Sequence, residues 1–75
     1  MDIEEIVKAV SEKEVVKEIY RYDNRHLDVI ADIDDIEERR QFGEFLRELN
    51  GDWIFHQYRP DNYVRKEEAT NLYRA

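Results

Sequence analysis

The sequence predicts a single α+β domain, with a small two- or three-stranded sheet packed against three to four helices. Three observations lead there. Seventy-five residues make one domain at most, spanning 1–75. Apolar residues recur at helical spacing in some stretches and alternate in others. The chain is 41% charged, but it is also 41% hydrophobic, with nine aromatics, two glycines and one proline, and that balance favours a packed core over disorder.

Ile3, Ile6, Val7 and Val10 predict a first helix over 2–10. Val15, Val16, Ile19 and Tyr20 are also spaced as on a helix. At about 100° per residue the two sets centre near 290° and near 130°, so one straight helix would carry two opposed stripes. Ser11 and Glu14 fit a capping box, with Val10 and Val15 at the staple positions, and this predicts a second helix over 12–22. The competing reading makes 15–22 a strand, because VVKEIYRY is rich in β-branched and aromatic residues, and turns it through DNRH into the next segment.

Leu27, Val29, Ala31 and Ile33 alternate with Asp28, Ile30 and Asp32, as in a strand with one buried face. Phe42, Phe45, Leu46 and Leu49 predict a helix over 35–49, in which Gly43 marks a close approach by another element. Asn50-Gly51 is a stop signal. DWIFHQYR, 52–59, reads as a strand, and Pro60-Asp61-Asn62 as a turn. Ala69, Leu72 and Tyr73 suggest a closing helix over 65–74. Strands joined through a helix run parallel when adjacent. Two strands alone make a marginal sheet, which argues for a third strand or for a homodimer that completes the sheet.

Net charge is −7 and unevenly placed. Residues 1–38 hold 13 acids and 5 bases, a net −8; residues 39–75 hold 6 acids and 7 bases, a net +1. Such a chain is repelled by nucleic acid and by anionic membranes, and its expected partner is a protein with a basic surface. The absence of cysteine favours a reducing, cytoplasmic setting. Asp2, Glu4 and Glu5 stand where a signal peptide carries positive charge, and no apolar run approaches the roughly 20 residues of a membrane span.

The chemistry is limited by residue types. Ser11 and Thr70 are the sole hydroxyl residues apart from tyrosine, and His26 and His56 have no cysteine to join them. Covalent catalysis, a zinc centre and a glycine-rich phosphate loop are therefore not expected, and neither is a cofactor. The stretch VIADIDDIEERR holds Asp32, Asp34, Asp35, Glu37 and Glu38. An apolar strand followed by D-x-D resembles the metal-binding start of several phosphoryl-transfer folds, and a Mg²⁺-dependent activity at Asp32 and Asp34 is the alternative it raises. Those folds need further acids on neighbouring strands, and Asp52 begins its strand at the opposite end. The structural reading accounts for each residue: Asp34 caps a helix, with Glu37 at the third position and acids in the first turn.

Two surfaces remain as binding candidates. One is acidic and includes Asp28, Asp32, Asp34, Asp35, Glu37 and Glu38; a carboxylate array can occupy a site meant for phosphates. The solvated alternative is a salt-bridged face, with Glu4–Lys8 as an i,i+4 pair. The other surface is WIFHQYRPDNYVRK, 53–66, in which Trp53, Phe55, Tyr58, Arg59, Tyr63 and Arg65 are residue types common at interface hot spots. The same mixture suits single-stranded nucleic acid, a nucleic-acid-binding module being a further alternative. The reading adopted is a small non-enzymatic interaction protein that regulates or inhibits a macromolecular partner. A phage-type inhibitor that mimics nucleic acid against a nucleic-acid enzyme is one concrete form of it.

Overall fold

The computed structural model describes residues 2–49 and 52–75. The chain runs α1 (Ile3–Ser11), β1 (Val16–Arg21), β2 (His26–Ala31), α2 (Ile36–Leu49), β3 (Ile54–Tyr58) and β4 (Thr70–Arg74). The strands form one mixed sheet in the order β3-β2-β1-β4. β1 pairs antiparallel with both β2 and β4, and β2 pairs parallel with β3 across the α2 connection.

This corrects the expected α+β architecture: there are two helices among the described residues, not three or four, and four strands, not two or three. Both errors have one physical cause. The segment 12–22 is β1 rather than a helix, and its register against β2 breaks between Val16 and Glu18. The bulge lets Val16 (opposite Ala31) and Ile19 (opposite Val29) point to the same core, three residues apart. Segment 65–74 repeats the pattern. Its last part is β4, with a register break against β1 between Ile19 and Tyr20. Leu72 and Tyr73 therefore both pack toward the helices, while Ala69 packs on the other side of the sheet. A bulged strand imitates helical spacing.

The capping signals also resolve differently. The Ser11 hydroxyl donates back to the Lys8 carbonyl at 3.0 Å, so it closes α1 rather than opening a second helix. Asp2 caps α1, accepting the Glu5 N–H at 2.9 Å. The cap of α2 falls one residue later than expected: Asp35 Oδ2 accepts the Glu38 N–H at 3.0 Å. The turn at 60–62 is present, closed by Asn62 N–H donating to Arg59 C=O at 3.0 Å. The Asn50-Gly51 stop lies outside the described residues.

Both helices lie on one face of the sheet. Ile6 and Val10 of α1 and Phe42 and Leu46 of α2 join Val16, Ile19, Leu27, Val29 and Ala31 in one buried cluster. The expected close approach at Gly43 is to β3, since a β-carbon there would lie 2.9 Å from Gln57 Nε2. The opposite face of the sheet is partly covered too. Segment 59–69 folds back over it, placing Tyr63 and Ala69 against Tyr20, Ile30 and Tyr58. β2 is thus buried on both faces rather than one. Among the described residues, no helix is long and apolar enough to cross a membrane.

Candidate interaction surface

Asp28 does not join the acidic surface. It is 0% exposed, at the centre of the sheet face covered by segment 59–69. The Tyr63 hydroxyl donates to its Oδ2 at 2.9 Å, and Lys66 Nζ donates to the same oxygen at 3.3 Å. Oδ1 is buried with no hydrogen-bond partner among the described residues. Burial first, and then the hydrogen bond and charge of Asp28, push the Tyr63 phenol well above the usual tyrosine range. Burial opposes the charge on Lys66, but its hydrogen bond and Coulombic attraction to Asp28 outweigh that and raise its pKa.

The aromatic and basic segment serves this lock. Tyr63 stacks on Tyr20 at 5.3 Å and tilts against Tyr58 at 5.0 Å. Arg65 lies over the Tyr20 ring and donates to the Ala69 carbonyl at 3.1 Å. Trp53 and Phe55 are half-buried against the helix-side core, and Arg21 lies over the Trp53 ring. Arg59 pairs with Asp34 at 2.8 Å and approaches Asp61 at 3.5 Å, the latter without the alignment of a hydrogen bond. These six residues are thus divided between two faces of the sheet and its β3 end.

The remaining acids of the stretch, Asp32, Asp34, Asp35, Glu37 and Glu38, are exposed. Asp34 is held by Arg59, Asp35 by the α2 cap, and Glu37 by Arg40. Asp32 and Glu38 have no cation within ion-pair distance among the described residues, and the same holds for the exposed Glu4, Glu5, Glu12, Glu44 and Glu48. The expected Glu4–Lys8 pair is not formed. Because α1 and α2 share one face of the sheet, six of these seven carboxylates belong to the helical layer or its ends. The acidic residues singled out from the sequence lie within 28–38, although the acidic half as a whole includes α1; Glu44 and Glu48, in the later turns of α2, lie outside both.

No group of three or more His, Asp or Glu able to hold a metal ion is found among the described residues. His26 and His56 come together, with ring centroids 5.3 Å apart on neighbouring strands. Asp23 binds the first of them. Its Oδ1 accepts the Arg25 and His26 N–H groups at 2.7 and 2.9 Å, and His26 Nδ1 lies 2.8 Å away. Those contacts, with the Arg25 N–H the largest, hold its carboxyl below the usual range. The chain matches no protein-family model, no curated protein and no solved structure.

Proposed function

We propose that this is a non-enzymatic interaction protein whose acidic helical layer binds the basic surface of a protein partner and thereby regulates or blocks it. One observation carries the reading. Glu4, Glu5, Glu12, Glu38, Glu44 and Glu48 are exposed on or beside two helices of one layer, without an ion-pair partner of their own among the described residues. Carboxylates left in this state weaken the fold by mutual repulsion, and they are free to neutralise an external cationic surface. A nucleic-acid enzyme, whose groove is built to hold phosphates, is the partner class that this chemistry fits best. The cysteine-free composition suits a reducing compartment, and the partner is sought in the cytoplasm.

The test compares the wild-type chain with a Glu4→Gln, Glu5→Gln, Glu12→Gln, Glu38→Gln variant in affinity capture from nuclease-treated lysate. A stoichiometric protein is expected on the wild type, released as salt rises and absent from the variant. A partner held equally by both chains would overturn the acidic-layer reading. Recovery that requires intact nucleic acid would transfer the binding role to the segment 53–66.

A further inference from the structure

We propose that the outer edge of β3 is a self-association seam, at which a second copy of this chain pairs antiparallel and extends the sheet from four strands to eight. β3 is the terminal strand of the sheet. Ile54 N–H donates inward to the Arg25 carbonyl at 2.7 Å. In a parallel pair the inward groups alternate, so His56 and Tyr58 follow Ile54, while Phe55 and Gln57 turn their N–H and C=O to the open edge. An edge of this kind is a template for another strand unless it is blunted.

The two edges differ in this respect. β4 carries a register break within its five residues, a device that disfavours further pairing. β3 runs in unbroken register from Ile54 to Tyr58, with no proline or acid inside it. A cleft of about 300 Å³ runs beside it, lined by Gly43, Leu46 and Arg47 of α2 and by Trp53, Ile54 and Phe55. Ile54 and Phe55 project to opposite faces of a strand. The cleft lies between α2 and β3, so the strand edge is open to solvent beside it. Ile54 is 41% exposed there, one of the few large apolar side chains left so open.

A second copy fits this edge by symmetry. The strand IFHQY is self-complementary about His56, since a two-fold axis there sets Phe55 opposite Gln57 and Ile54 opposite Tyr58 of the second copy. All outward-facing groups are then bonded in pairs. Arg47, on the cleft, has no acidic partner among the described residues and places one positive charge beside the seam, which offsets part of the repulsion between two copies of net charge −7. One five-residue edge buries less than a standard interface, so the dimer is weak.

Sedimentation equilibrium from about 10 µM to about 1 mM tests this, the range in which a weak interface saturates. The expected result is a shift from 9.2 kDa toward twice that mass, promoted by raising salt, because two acidic molecules repel. Amide exchange at Phe55 and Gln57 slows with concentration, whereas His56 and Tyr58 are protected throughout. Ile54→Lys places a charge at the seam and is expected to remain monomeric and folded; Gln57→Pro removes an N–H that the monomer does not use, with the long side-chain bonds of Gln57 to Arg39, and is expected to be monomeric and somewhat less stable. The proposal is overturned by a wild-type chain that stays monomeric to the highest concentration. It is equally overturned by a dimer that persists in both variants, or one whose protection appears at β4. Failure here leaves the acidic-layer reading intact, since partner capture is weakened by salt and self-association is strengthened by it.

Discussion

At the residue scale the molecule turns on Asp28. A carboxylate at 0% exposure is costly to hold unless its charge is met. It is met by Lys66, which remains 37% exposed, and by the Tyr63 hydroxyl. The asymmetry of exposure predicts an asymmetry of mutation. Lys66→Met leaves a buried charge without its counter-ion and is expected to cost about 3 kcal/mol. Asp28→Asn leaves an ammonium that can turn to water and is expected to cost about 1 kcal/mol. Urea denaturation of the two single variants and the double variant checks this, and a double variant no more stable than Lys66→Met alone would show that the pair is not the source. Tyr63 adds a pH dependence. Its pKa is raised in the folded state, so its stabilising contribution is complete below the unfolded value of about 10 and is lost as pH rises above it. Phenolate absorbance should show one tyrosine ionising together with loss of structure, and Tyr63→Phe should remove that step. The sequence offered no signal for this lock. Asp28 alternates with apolar residues as a surface acid does, and Tyr63 and Lys66 lie 35 and 38 residues away, with nothing in their spacing that points back to it.

At the element scale, hydrophobic spacing identified α1, β2 and α2 because each keeps one period along its length. It misassigned 12–22 because a bulge inserts one residue and turns a period of two into a local step of three, and 65–74 because a bulge sets the adjacent Leu72 and Tyr73 on one face of the sheet. The competing strand reading of 15–22 rested on β-branched and aromatic content, and that signal survives a bulge. The parallel pairing of β2 with β3 followed from the intervening helix alone. The α2 cap illustrates a smaller limit. Asp34 and Asp35 both offer a carboxylate ahead of the helix, and only backbone geometry selects between them. Asp35 takes the Glu38 N–H, while Asp34 takes Arg59. Asp35→Ala is therefore expected to destabilise by about 1 kcal/mol, the ordinary worth of an N-cap. Asp34→Ala, losing one exposed ion pair, should cost under about 0.5 kcal/mol. Thermal unfolding of the two variants ranks them, and the reverse order would place the cap at Asp34.

At the scale of the whole molecule, the acidic surface was legible as an excess of charge but not as an arrangement. Composition located the negative charge in the first half of the chain. Only the fold brings α1 and α2 to one layer, in which Glu4, Glu5, Glu38, Glu44 and Glu48 have no ion-pair partner among the described residues. That arrangement has an energetic consequence independent of any partner. Uncompensated like charges on a −7 chain repel one another more in the folded state than in the expanded one, and salt screens that repulsion over a Debye length of about 10 Å at 0.1 M. The urea midpoint is therefore expected to rise between about 0.02 and about 0.3 M NaCl, where screening of surface charge is steepest. The Glu4→Gln, Glu5→Gln, Glu12→Gln, Glu38→Gln variant should begin with a higher midpoint at low salt and respond less to added salt. If the variant is instead less stable than the wild type, these carboxylates serve the fold and the binding role assigned to them loses its support. If it is more stable, the chain carries a surface that its own folding would do better without, and the reason for that surface lies in what it meets.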